Sequence, residues 1–146
     1  MVYFDMDGTL NCFYEIPDYV AKIIAEDVSP YLEAAPNGNF SILARYLNRY
    51  RSHGGKIGII SWLAGGNPTE KYNTEVEAAK MKWLKQHLPS VSWDEIHIVP
   101  YGFPKETFCN SENDILFDDE EKNRHRWTGK SFSPDMIIEI MKHLAT

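Results

Sequence analysis

The sequence predicts an α/β fold in which a parallel β-sheet is covered by helices. Four short apolar runs alternate with longer stretches of helical periodicity, the pattern of layered α/β structure. Two of these runs, Lys56 to Ile60 and Asp114 to Phe117, are nearly continuous in apolar residues, as interior parallel strands covered on both faces must be. Acids or a hydroxyl residue stand directly after three of the runs, which is where open parallel sheets present their ligand-binding edge.

In chain order, the first strand is Val2-Tyr3-Phe4, closed by Asp5-Met6-Asp7-Gly8-Thr9-Leu10. From Ile16 to Gly38, Pro17-Asp18 opens a helix carrying Tyr19, Val20, Ile23 and Ile24, and Ser29-Pro30 and Pro36-Asn37-Gly38 interrupt it, so this segment reads as a small helical excursion above the sheet. Leu43, Tyr46, Leu47 and Tyr50 repeat at three and four between Ser41 and His53, and Gly54-Gly55 provides the helix exit into the second strand, Lys56 to Ile60. Thr74 to Glu77 has capping-box spacing, followed by a stripe of Val76, Ala79, Trp83 and Leu84 and a stop at Pro89. The third strand, Glu95 to Val99, alternates somewhat and suits a place nearer the sheet edge; Asp114 to Phe117 is the fourth. Ser133-Pro134-Asp135 opens a terminal helix with Ile137, Ile140, Met141 and Leu144 on one face.

A length of 146 residues with 43% hydrophobic content fits one domain with one core. The formal charge of -6 argues against an extended grip on nucleic acid, whereas a small nucleotide is compatible because a bound cation reverses the local sign of an acidic site. Cys12 and Cys109 make no disulfide framework and read as free thiols. No run is long and apolar enough to span a membrane, and no signal-like N-terminus is present, so a cytoplasmic protein is expected.

The acids carry the chemistry. Asp5 and Asp7 are separated by one residue at a strand end, an arrangement that costs energy unless a cation or a proton compensates it. Magnesium suits such a site, being a hard ion with a preference for oxygen ligands. A surface Asp-Gly turn would explain this stretch alone, but not Asp118-Asp119 after the fourth strand or Ser61 after the second. For those, the alternatives are a helix N-terminus and a plain loop hydroxyl. Lys105, beyond the third strand, is placed to neutralise phosphate charge and restrain Asp5; Lys71 and Lys130 have weaker positions.

These residues together resemble the haloacid dehalogenase superfamily of phosphohydrolases over nearly the whole chain. Asp5-Met6-Asp7-Gly8-Thr9 resembles its first motif, Ser61 the second, Lys105 the third and Asp118-Asp119 the fourth. The resemblance implies a three-layer Rossmann-like parallel sheet forming one domain over 1–146, a small helical cap insertion at 14–38, and a spatial strand order of 3-2-1-4. It implies catalytic roles for Asp5 as covalent nucleophile and Asp7 as general acid and base, and phosphate contacts from Thr9, Ser61 and Lys105. It further implies magnesium held by Asp5, the Asp7 backbone carbonyl and one of Asp118 and Asp119. The stretch from Ile115 through Asn123 and Trp127 is similar to that of deoxyribonucleotidase-like members, which points toward a nucleotide among small phosphorylated substrates.

Phe13, Tyr14 and Trp62 would stack on a base if they line the opening; otherwise they anchor the helical excursion. A general small-molecule phosphatase, a phosphotransferase and a noncatalytic binding protein are the competing readings.

Overall fold

Val2, Tyr3 and Phe4 are β-branched or aromatic, and all three are buried as strand β1 (Val2–Phe4) at the centre of a five-stranded sheet. A computed structural model describes residues 1–146 and gives the order β3-β2-β1-β4-β5, with every neighbouring pair parallel. The strands are β2 (Ile57–Trp62), β3 (Glu95–Val99), β4 (Ile115–Phe117) and β5 (Lys130–Phe132). Phe4 lies opposite Ile59 on one side and Phe117 on the other, so β1 and β4 end at the same level. The Asp5 N–H then donates to the Phe117 carbonyl at 2.9 Å, holding the two exits together.

Alternation of side chains divides the core between the two sheet faces. Val2, Phe4, Ile57, Ile59, Ile115 and Phe117 face helices α3 (Phe40–Ser52) and α6 (Ile137–Leu144) through Leu43, Leu47, Ile137 and Met141. Tyr3, Ile60 and Leu116 point the other way, onto Trp127 and Phe108. This is a mixed α/β fold with an all-parallel sheet flanked by helices. None of its helices is long and apolar enough to cross a membrane.

The fifth strand extends the expected order 3-2-1-4 at the β4 side. Lys130-Ser131-Phe132 has no apolar run to announce it; it is an edge strand paired with β4 through backbone groups. Helix α4 (Glu70–His87) starts ahead of the expected capping box at Thr74. The true cap is Thr69, whose hydroxyl accepts from the Tyr72 N–H at 3.1 Å, while Glu26 receives the Thr69 N–H and O–H at 2.9 and 2.8 Å. That cap is completed by a residue distant in sequence, which a local pattern does not contain. Thr74 lies inside the helix and donates to the Glu70 carbonyl.

Between β1 and α3 the chain forms α1 (Tyr19–Ile24) and α2 (Ser29–Glu33). Ser29-Pro30, expected to interrupt a helix, instead opens α2, where proline is tolerated because a first-turn N–H has no intrahelical acceptor. The excursion is tied back firmly. Cys12 N–H donates to the Ala35 carbonyl at 2.8 Å, Asn37 donates to the Leu10 carbonyl through its N–H at 2.8 Å and to the Thr9 carbonyl through Nδ2 at 3.1 Å. Trp83 of α4, fully buried in the main core, donates from Nε1 to the Ala34 carbonyl at 2.7 Å.

Trp83 therefore joins the core to the excursion by packing and by a buried hydrogen bond. Trp83→Ala is expected to cost about 3–5 kcal/mol of stability, read as a lowered midpoint in urea unfolding; a loss under about 1 kcal/mol would show that this junction is not structural.

Candidate functional site

The common ends of β1 and β4 bring Asp5 and Asp118 together, and a 3₁₀ turn at Lys105–Phe108 delivers the lysine that binds both. Lys105 Nζ donates to Asp5 Oδ1 at 2.8 Å and to Asp118 Oδ2 at 2.7 Å, with Lys105 only 3% exposed. Burial works against the ammonium, but the facing Asp5 and Asp118 charges outweigh it and hold its pKa above the usual lysine range. Thr9 adds a second restraint: its hydroxyl donates to Asp5 Oδ2 at 2.8 Å and accepts from the Asp119 N–H at 3.1 Å.

Gly8 makes that turn possible. Its φ of 82° is open to glycine at little cost, and a Cβ there would lie 2.5 Å from Asp119 Oδ2 and 2.8 Å from Tyr14 Cε2.

Carboxylate oxygens of Asp5, Asp118 and Asp119 lie within 4.8 Å of one another. One ammonium faces these three acids, which leaves an excess of negative charge in a partly desolvated place. Burial, and then the Asp5 charge, raise Asp118 to about 6 and Asp119 to about 8. The acids thus favour a proton or a cation, and an all-oxygen donor set suits a hard divalent ion. Within the pair, Asp118 is already engaged: Oδ1 accepts from the Glu120 N–H at 2.9 Å, and Oδ2 from Lys105 and from Asn123 Nδ2 at 3.2 Å. Asp119 is less encumbered, its carboxylate receiving only a long 3.4 Å contact from the Thr9 hydroxyl.

The Asp7 carboxylate lies outside the three-acid cluster. Its Oδ2 accepts from Lys80 Nζ at 2.9 Å and its Oδ1 from Asn11 Nδ2 at 3.3 Å. Ser61, at the end of β2, is fully buried and accepts from the same Lys80 at 2.6 Å. Lys80 was not singled out by the sequence reading, although a signal exists: it falls within the apolar stripe of α4, four residues after Val76 and three before Trp83. A lysine in such a stripe is unusual enough to ask what it pairs with.

A cavity of about 240 Å³ opens over these groups and is lined by Asp5, Asp7, Lys105, Asp118 and Asp119. Thr9 and Ser61 are buried and do not contribute to that lining. Lys71 and Lys130 are exposed and lie outside it. The remaining lining mixes aliphatic and polar residues with an aromatic group that includes Phe13, Tyr14 and Trp62 together with Tyr31 and Tyr101. Trp62 is fixed by a hydrogen bond from Nε1 to the Phe103 carbonyl at 2.9 Å and packs on Tyr101 with ring centroids 5.0 Å apart.

No known protein-family model matches the chain, and no curated protein matches it.

The acid cluster links stability to pH and to metal. Asp118 and Asp119 have folded-state values above the ordinary 3.8, so the stability associated with their protonated forms is present below 3.8 and is lost as pH rises through about 6 and about 8. The melting temperature of metal-free protein is expected to fall between about pH 5 and about pH 9, and millimolar Mg²⁺ to restore most of that loss at the upper end. Asp119→Asn should flatten both responses. A melting temperature indifferent to Mg²⁺ at every pH would remove the case for a cation site.

Proposed function

We propose that this chain is a magnesium-dependent phosphohydrolase of the haloacid dehalogenase class, built as one domain over 1–146 with residues 14–38 acting as a small cap. The observation that carries this reading is the Lys105 bridge between Asp5 and Asp118 beside Asp119, on the floor of a cavity. A nucleophilic carboxylate must be oriented and open to substrate, and Asp5 meets both requirements. Lys105 offsets its charge, Lys105 and Thr9 each hold one of its oxygens, and it lines the cavity.

In the first half-reaction Asp5 attacks phosphorus, an Asp5–phosphorus bond forms, and the bond from phosphorus to the leaving oxygen breaks as Asp7 gives that oxygen a proton. In the second, Asp7 takes a proton from water, the resulting oxygen attacks phosphorus, and the acyl phosphate opens to free Asp5 and inorganic phosphate. Lys105 donates toward the phosphoryl oxygens as charge accumulates on them, and the hydroxyls of Thr9 and Ser61 fix the loop and strand end around them. Asp5 and Asp119, with Asp118 beside them and the Asp7 backbone carbonyl, would hold Mg²⁺. Bound there, the ion supplies positive charge against the phosphoryl oxygens.

The aromatic residues of the lining favour a nucleoside monophosphate as substrate, because Tyr14, Trp62 and Tyr101 lie in the same cavity as the acids and aromatic side chains accept bases. A phosphate-release screen with Mg²⁺ tests both levels, comparing nucleoside monophosphates with sugar phosphates. Release is expected to be fastest from a nucleotide and to vanish in Asp5→Asn, and wild-type turnover in that variant would end the nucleophile assignment. Faster release from sugar phosphates would overturn the nucleotide preference alone. Asp7→Asn should lower kcat by about 10²–10⁴; an unchanged rate would remove Asp7 from the mechanism.

A further inference from the structure

The sequence places Lys80 on the buried side of α4, and Lys80 is only 1% exposed. A buried ammonium persists when each of its three protons has an acceptor. Lys80 achieves this with Asp7 Oδ2 at 2.9 Å, Ser61 Oγ at 2.6 Å and the Trp62 carbonyl at 2.8 Å. The Tyr31 ring of α2 lies 5.3 Å from the same nitrogen. One atom thus connects the loop after β1, the end of β2 and the excursion over the site.

The two buried lysines of the site are not equivalent. Lys105 lines the cavity, whereas Lys80 does not, although its partner Asp7 does. Lys80 is thus separated from any molecule in the cavity by the carboxylate it holds. The other restraint on Asp7 is the longer 3.3 Å contact from Asn11, so the ammonium is the principal one. Resting on the phosphohydrolase reading above, we propose that Lys80 is a positioning residue that fixes the Asp7 carboxylate toward the leaving-group oxygen. Proton transfer demands alignment within a fraction of an ångström, and a carboxylate freed of its partner rotates out of line. A lysine serving only the fold would affect all substrates alike; one that aims a proton donor matters most where the leaving group needs the proton.

The test compares phenyl phosphate, whose leaving oxygen needs a proton, with p-nitrophenyl phosphate, whose leaving oxygen does not. Wild type, Asp5→Asn, Asp7→Asn, Lys80→Met and the Asp7→Asn/Lys80→Met double variant are assayed with Mg²⁺, with circular dichroism confirming the fold of each. Lys80→Met is expected to lower kcat about a hundredfold on phenyl phosphate and less than about tenfold on p-nitrophenyl phosphate, with KM little changed on either. Adding Lys80→Met to Asp7→Asn should change kcat less than about twofold, since the two residues act as one unit. Should Lys80→Met fail to fold, Lys80→Gln carries the same comparison while keeping donors for the buried acceptors.

Equal losses on both esters, or a full further loss in the Asp7→Asn background, would overturn the positioning role while leaving the phosphohydrolase reading intact. Wild-type turnover that is absent, or that survives in Asp5→Asn, would overturn that reading and this inference with it.

Discussion

Two buried ammonium groups hold the acids of this protein in place at one edge of a parallel sheet. Lys105 binds Asp5 and Asp118, and Lys80 binds Asp7 and Ser61. Without them, carboxylates this close and this dry would repel one another or take up protons. With them, Asp5 and Asp7 are paired with different lysines, so they lie two residues apart yet occupy different electrostatic surroundings. That separation is what a mechanism needs if one acid attacks while the other handles a proton.

The sheet supplies the geometry on which those pairings rest. Parallel register brings β1 and β4 to an end at Phe4 and Phe117, so the residues that follow leave side by side. β2 runs further, to Trp62, which carries Ser61 and the Trp62 carbonyl out to Lys80 and the Trp62 ring to the cavity wall. Packing on both faces makes the strand ends rigid, since Phe4, Ile60, Leu116 and Phe117 are completely enclosed. The polar residues that emerge there inherit that rigidity through short backbone links.

Much of this is legible in the residues themselves, because buried strands and crowded acids leave strong local marks. Continuous apolar runs identified β2 and β4, and the acids after Phe4 and Phe117 pointed to the edge where they meet. The place of Lys105 beyond the third strand singled it out among the lysines, and it reaches Asp5 and Asp118. The features that escaped are those decided by distant partners. The cap of α4 depends on Glu26, β5 is held by backbone pairing with β4, and Lys80 acquires its acceptors only when α4 packs against the ends of β1 and β2. Thr69 and Lys130 carry side chains that are ordinary in their local context, whereas Lys80 stands out within the apolar stripe of α4 but its partners do not.

The excursion between β1 and α3 is bonded to the very loop that carries the acids, through Cys12 to Ala35 and Asn37 to Thr9 and Leu10, and is pinned from below by Trp83. A roof fastened at such points shares its footing with the acids beneath it. Phe13, Tyr14 and Tyr31, which line the cavity above Asp5, are thereby carried on the same bonded frame as the acids, so the contour of the opening and the spacing of the charges beneath it are set together.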